Sequence, residues 1–397
     1  MYKSLVIATA GAVGTAIWLL SAGASAPVTQ TLGLSRYESV VLTDSRADAI
    51  FASASSVLQT ADTATDVTCE LTLQRSGTTQ IFDVPRDITS STSYAAACAA
   101  PGRVHAVTDI TYCNGACPDC LGCADFPGRC ITVVRHTEPL EGILWAHEYG
   151  HNVGNGHVST PNMVMRDTVE GGNLSVTAAQ CERYLDTSLR YTTRATTQQP
   201  ASPARSLDEF VRLTFIHGVP YEEAVRFGRQ AVDRLLELLR TPPDGVRLSN
   251  VVLTLGMIGD PRAIGPLREF VSQGAGQTLA RDLFVAKRSA LVALGYLYFR
   301  TRDGSILTFL TDGSRPDFWG LRVQWRAQDD SVQVPRALAL TSVQALGLTG
   351  SPDAATFLGS AFAGVDAEFA AVASDASRQN ALVLQQGQAA FTTMRVQ

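Results

Sequence analysis

Apolar and polar positions follow different periods in the two halves of the chain. Residues 42–61 repeat apolar side chains at helical spacing and begin with Thr43, Asp44 and Ser45, residue types that cap helix N-termini. We therefore expect a helix there. Short runs that contain β-branched residues in partial alternation predict strands at 69–74, 103–110 and 130–135.

Two further helices and a linker are predicted before the middle of the chain. One helix begins around Leu140 and includes the sequence EGILWAHEYGHNVG, and Thr177 with Gln180 has capping-box spacing for a later helix. The stretch 192–206 is polar, contains two prolines and has no periodicity. We interpret it as a linker.

Beyond the linker, long helical patterns are separated by Gly, Asp and Pro. Three segments resemble one another, because each has an apolar helix end with Leu-Gly, then a turn, then the start of an amphipathic helix; they are 253–267, 292–310 and 344–358. The pattern over roughly 207–362 resembles HEAT repeats, whose stacked helix pairs form a solenoid. An irregular helical bundle is the alternative.

Length and charge restrict the classes of function. A chain of 397 residues is long enough for two domains with separate hydrophobic cores. The net charge of −5 and the 17% of charged residues provide no strongly basic surface. Nucleic acids and anionic membrane surfaces are therefore not expected as partners.

Residues 1–26 have the layout of a secretory signal peptide. Lys3 precedes an uncharged apolar run that reaches Leu20, and the small residues Ala24, Ser25 and Ala26 follow. We expect a secreted or extracellular protein, with a membrane association only if this segment stays uncleaved.

The cysteines all lie in the first half of the chain: Cys69, Cys98, Cys113, Cys117, Cys120, Cys123, Cys130 and Cys181. An even number in an exported chain predicts disulfides, whereas the close spacing of the central four would also suit an iron–sulfur cluster or a second zinc ion. A polar segment between Cys69 and Cys98 suggests that these two pair. We expect Cys181 to bond to the cysteine-rich loop.

The sequence HEYGHNVGNGH contains the strongest chemical signal. His147 and His151 are four residues apart, so on a helix both rings point to the same side and can bind one ion. Glu148 lies about 100° further round the helix and can flank that ion without binding it.

A third ligand follows the end of this helix. Gly154 permits the left-handed conformation that ends a helix, and Gly156 adds freedom, so that His157 can turn back toward the ion. Three imidazole nitrogens with an open fourth position are typical of a catalytic zinc site. His105, His136 and His217 have no partners at ligand spacing and are expected to be structural, and Trp145 is expected to pack behind the helix.

The extended motif HExxHxxGxxH resembles the signature of the metzincin clan of zinc metallopeptidases. That resemblance implies one catalytic zinc ion held by His147, His151 and His157, with Glu148 as the general base. It also implies a Met-turn, which we assign to Met165, with Met163 as the alternative.

The same resemblance implies that a peptide substrate lies extended along an edge strand. We assign this strand to residues 131–135, with Ile131 and Val133 as the substrate-binding positions. The expected function is that of an exported zinc metalloendopeptidase. The alternative is a catalytically inert zinc protein whose helical domain binds a protein partner; an intact Glu148 favours the enzyme.

The predicted fold is an α+β metzincin-like domain followed by an all-α HEAT-like domain. The predicted boundaries are a signal peptide at 1–26, a metallopeptidase domain at 27–191, a linker at 192–206 and a helical repeat domain at 207–397.

Overall fold

The computed structural model describes residues 28–60, 67–186, 205–362 and 364–393. The predicted signal peptide and all but the last two residues of the predicted linker lie outside these ranges. Among the described helices, none has both the length and the apolar composition that a membrane span needs.

The N-terminal half is a mixed α/β structure. Its elements are, in chain order, β1 (Val28–Tyr37), α1 (Asp44–Gln59), β2 (Leu71–Phe82), β3 (Asp87–Ile88), α2 (Ser91–Ala99), β4 (Val104–Val107), β5 (Asp109–Tyr112), β6 (Ala116–Cys120), β7 (Gly122–Ala124), β8 (Ile131–Val134), α3 (Glu138–Asn152) and α4 (Ala178–Leu185).

A five-stranded sheet organises this half, in the strand order β2-β1-β4-β8-β7. All neighbouring strands are parallel except β7, which runs antiparallel to β8. The prediction that residues 131–135 form an edge strand is therefore wrong. Ile131 and Val133 are buried in β8, which pairs with β4 on one side and β7 on the other, so β7 lies at this margin of the sheet and β2 at the opposite one.

The two long helices α1 and α3 pack against each other, with α1 also against β2 and α3 against β7. The Thr43 side chain caps α1 by accepting a hydrogen bond from Arg46 N, as the sequence predicts. Trp145 packs behind α3, where its ring lies 5.0 Å from that of Phe51. The capping box predicted for Thr177 and Gln180 is present at the start of α4.

The C-terminal half is helical. Its elements are α5 (Leu207–Phe210), α6 (Tyr221–Arg226), α7 (Val232–Arg240), α8 (Leu248–Ile258), α9 (Ile264–Ser272), β9 (Thr278–Leu279), α10 (Arg281–Thr301), α11 (Gly304–Gly313), α12 (Pro316–Gly320), β10 (Arg326–Ala327), α13 (Val334–Gly347), α14 (Pro352–Ser360), α15 (Ala367–Gln386) and α16 (Ala389–Thr393), with short 3-10 helices at Arg229–Ala231 and Pro261–Ala263.

The three similar segments form the helix pairs α8/α9, α10/α11 and α13/α14. Their first helices stack in order, α8 against α10 and α10 against α13, and α13 then packs against the later helix α15. The Leu-Gly glycines lie at these contacts: a Cβ on Gly256 would overlap the Ala293 backbone, and one on Gly295 would overlap the Ala345 carbonyl. Glycine is thus needed because the backbones of successive first helices touch.

Each half has its own hydrophobic core, and polar contacts join the two halves. Arg288 on α10 forms an ion pair with Asp109 on β5 at 2.5 Å. Gln344 Nε2 on α13 donates to the carbonyl oxygens of Thr89 (3.0 Å) and Thr111 (3.2 Å).

The eight cysteines form four disulfides: Cys69–Cys181, Cys98–Cys130, Cys113–Cys123 and Cys117–Cys120. The four clustered thiols are therefore not ligands of an iron–sulfur cluster or a second zinc ion. The predicted pair Cys69–Cys98 is wrong, as is the prediction that Cys181 joins the cysteine-rich loop. The reason is tertiary, because α2, which contains Cys98, packs against β8, just after Cys130.

Candidate metal centre

The centre begins on α3, where the four-residue spacing places His147 and His151 on one buried side of the helix. Their Nε2 atoms lie 3.0 Å apart. On the other side of each ring, Nδ1 of His147 donates to Val164 O (2.8 Å) and Nδ1 of His151 donates to Asn155 O (2.9 Å). These two bonds fix both ring orientations and require the proton to be on Nδ1.

The turn after α3 brings the chain back toward the rings of His147 and His151. Gly154 has φ +87°, the left-handed conformation predicted for it, and Asn155 N donates to Gly150 O (2.9 Å). His157 Nε2 then lies 3.3 Å from His147 Nε2 and 3.1 Å from His151 Nε2. The three predicted ligands therefore come together.

A fourth histidine, which the sequence predicts to be structural, lies beside them. His217 Nε2 lies 3.2 Å from the Nε2 atoms of both His147 and His151. The prediction that His217 has no partners at ligand spacing is wrong, because it belongs to a group of four histidines that could hold a metal ion. Its spacing from the motif is set by tertiary structure, and the one local signal is a histidine inside the apolar run TFIHGV.

The chemistry of these donors fits a metal ion. Burial lowers the pKa of His147 to about 4, so its ring is neutral near pH 7. With the proton on Nδ1, the Nε2 lone pairs of His147 and His151 face each other, an arrangement that is repulsive without a cation between them. Four nitrogens at the usual zinc–nitrogen distance in a tetrahedron lie roughly 3.3 Å apart. The five pairs here that include His147 or His151 lie 3.0–3.3 Å apart.

Glu148 lies beside this cluster without being part of it. Its side chain is fully buried, and neither carboxylate oxygen accepts a hydrogen bond from any residue in the described ranges. Burial raises the pKa of Glu148 well above its ordinary value. Oε1 lies 3.4 Å from His217 Nε2, and the carboxylate contacts β7 at Gly122, where a Cβ would overlap it.

Met165 packs beneath α3. Its sulfur accepts a hydrogen bond from Tyr184 OH (3.1 Å), and a Cβ on Gly150 would overlap that sulfur. Val158 N, next to the third histidine, donates to Met165 O (2.9 Å). Met163, the alternative, is also buried and pairs with Ser175 as an isolated bridge. Met165 therefore contacts the helix that bears His147 and His151.

Comparison with known proteins identifies one segment of the chain. Residues 249–273 match the family model of the PBS lyase HEAT-like repeat. These residues cover α8 and α9, the first of the three stacked helix pairs, and include none of the four histidines. A search of curated proteins finds no match to the chain.

Proposed function

We propose that the protein is an exported zinc-dependent metalloendopeptidase with a metzincin-like catalytic half. The observation that carries the proposal is the position of Glu148. It is a buried carboxylate, 3.4 Å from one member of a cluster of imidazole nitrogens, on the same helix as two of them. A metal site with a purely structural role has no need of a carboxylate there.

His147, His151 and His157 would hold the ion, and the hydrogen bonds from Nδ1 of the first two keep their Nε2 atoms aimed at it. Zinc bound there would lower the pKa of a water ligand to about 7 and polarise a peptide carbonyl. Glu148 would accept the proton of the attacking water and pass it to the leaving amine.

Two further residues have supporting roles in this proposal. Met165 would form the apolar floor of the site beneath α3. The substrate would pair with β7 instead of β8, because β7 is the marginal strand that lies against Glu148.

Export is part of the proposal. Four disulfides indicate an oxidising environment such as the extracellular space. Together with the signal-peptide layout of residues 1–26, they support secretion.

The function is tested with fluorescent casein in two backgrounds, the native chain and His217→Ala, because His217 shares the centre. Glu148→Ala is then added to the background that hydrolyses casein. It should lower the rate of casein hydrolysis by at least about 100-fold while zinc stays bound. Glu138→Ala is the matched control, since Glu138 is an exposed glutamate on the same helix. If neither background, loaded with zinc, hydrolyses casein, the proposal is wrong.

A second function is favoured by one observation. A site with four protein ligands is closed, as structural zinc sites are, and the cluster here contains four histidines. The protein would then be a catalytically inert zinc protein, and the half with the HEAT-like repeat would bind a protein partner. Zinc binding without hydrolysis in both backgrounds would support this alternative.

A further inference from the structure

We propose that residues 214–217 are a built-in inhibitor, which occupies the peptide-binding groove of the catalytic half and supplies His217 as a fourth metal ligand. This inference rests on the proposed peptidase function. The segment follows α5, the first helix of the helical half. Its backbone, however, bonds to the catalytic half, and the side chains of Ile216 and His217 pack there.

The segment lies between residues 167–169 and Leu121, and its backbone bonds to both. On one side, Val169 N donates to Thr214 O and Ile216 N donates to Asp167 O, both at 2.9 Å, with Phe215 opposite Thr168 in antiparallel register. On the other side, Leu121 N, next to β7, donates to Ile216 O at 2.9 Å. Main-chain bonds of this kind are how an extended peptide binds to a sheet margin.

Successive side chains of the segment point into different parts of the molecule. Phe215 enters the core of the helical half, where its ring lies 5.1 Å from that of Phe210. Ile216 is fully buried in the core of the catalytic half. His217 reaches the other three histidines, with Nε2 3.4 Å from Glu148 Oε1.

The position of His217 explains why the centre would be inactive in this state. A zinc ion held by His147, His151, His157 and His217 would keep no position for water. The fourth nitrogen also lies beside the Glu148 carboxylate, where a reacting water has to be for Glu148 to take its proton. Activity therefore requires that His217 leaves.

The helical half holds the segment in place. Asn250 on α8 donates from Nδ2 to Leu213 O at 2.8 Å, and Arg247 N donates to Val211 O at 2.9 Å. Asn250 lies within the segment that matches the HEAT-like repeat. A partner that binds the helical half and shifts α8 would pull on residues 211–213 and so on His217, which makes this half the control element of the centre.

Cobalt substitution tests the fourth ligand without relying on activity. The visible spectrum of the Co²⁺-loaded native chain should respond little to acetohydroxamate, a small metal-binding probe, because the four histidines fill the coordination sphere. The spectrum of His217→Ala should respond at probe concentrations at least about 10-fold lower. His136→Ala, which removes a histidine outside the cluster, should behave like the native chain. An equal response of native chain and His217→Ala would overturn the inference.

Ile216→Ser provides a second variant that keeps all four histidines and weakens the packing of the segment against the catalytic half. It should shift the cobalt spectrum toward that of His217→Ala, and both variants should hydrolyse casein at least about 10-fold faster than the native chain. A native chain that hydrolyses casein as fast as both variants would contradict the inference and leave the peptidase function standing. A cobalt site that opens in the variants without any hydrolysis would contradict the peptidase function and leave His217 as the fourth ligand.

Discussion

The Nε2 atoms of His147 and His217 lie 3.2 Å apart, although 70 residues separate them along the chain. His147 lies on α3 of the N-terminal half, whereas His217 follows α5 in the helical half. The candidate centre is therefore completed only when the two halves of the chain come together, which ties its chemistry to the position of the helical half.

The native chain should bind one zinc ion with high affinity, and His151→Ala should weaken that binding by at least about 100-fold. Loss of a group in the outer shell of a metal site already costs up to about 100-fold in affinity, and loss of a ligand costs no less. Competition with a chromophoric chelator measures the affinity, and elemental analysis gives the stoichiometry. His136→Ala should leave both unchanged. A native chain that takes up no zinc would contradict the assignment of the centre.

The parts of the centre that could be predicted from the sequence are the local ones. The four-residue spacing of His147 and His151 is set by the period of a helix, and the left-handed conformation of Gly154 by the need to end it. His217 could not be found in this way. It reaches the cluster because an isolated β-bridge and two backbone hydrogen bonds join residues 214–216 to residues 167–169, a contact between distant parts of the chain that no short-range period encodes.

The same distinction applies to the rest of the fold. The helix at Asp44–Gln59, the capping box of α4 and the stacked helix pairs follow from local patterns, and the repeated Leu-Gly is explained by backbone contacts between successive helices. Disulfide partners and the order of strands depend on which elements pack together. The run 130–135 has the pattern of a strand, but that pattern does not tell a central strand from a marginal one.

Gly122→Ala should lower the rate of casein hydrolysis in the His217→Ala background by about 10- to 100-fold while zinc binding is kept. The added Cβ would overlap the Glu148 carboxylate, and a displacement of about 1 Å at a catalytic group can cost as much as 100-fold in rate. Gly171→Ala is the control, since Gly171 has open space around it. Full turnover by Gly122→Ala would show that Glu148 does not need its present position.

Gly295→Ala and Gly265→Ala should change stability in opposite directions. A Cβ on Gly295 would overlap the Ala345 carbonyl on α13, so α10 and α13 have to separate, at a cost of about 1–3 kcal/mol in the free energy of unfolding. Gly265 lies exposed within α9 with open space around it, and alanine there should add up to about 1 kcal/mol. Urea unfolding followed by circular dichroism gives both values. Equal effects of the two substitutions would contradict the glycine contacts that we assign to the stacked helices.

The stability of the native chain should depend on pH through Lys287, and Lys287→Met should remove that dependence. Burial lowers the pKa of Lys287 to about 8 from the ordinary 10.5, and Nζ donates to Phe270 O and Gln273 O. Between these two pKa values the unfolded chain keeps a proton on Lys287 that the folded chain has lost. The contribution of Lys287 to the free energy of unfolding therefore increases as pH rises. From pH 7.5 to pH 10 the urea midpoint of the native chain should therefore rise relative to that of Lys287→Met. Every other titrating group is shared by the two proteins, so the change in this difference comes from Lys287. Parallel profiles would mean that Lys287 keeps its ordinary pKa in the folded protein.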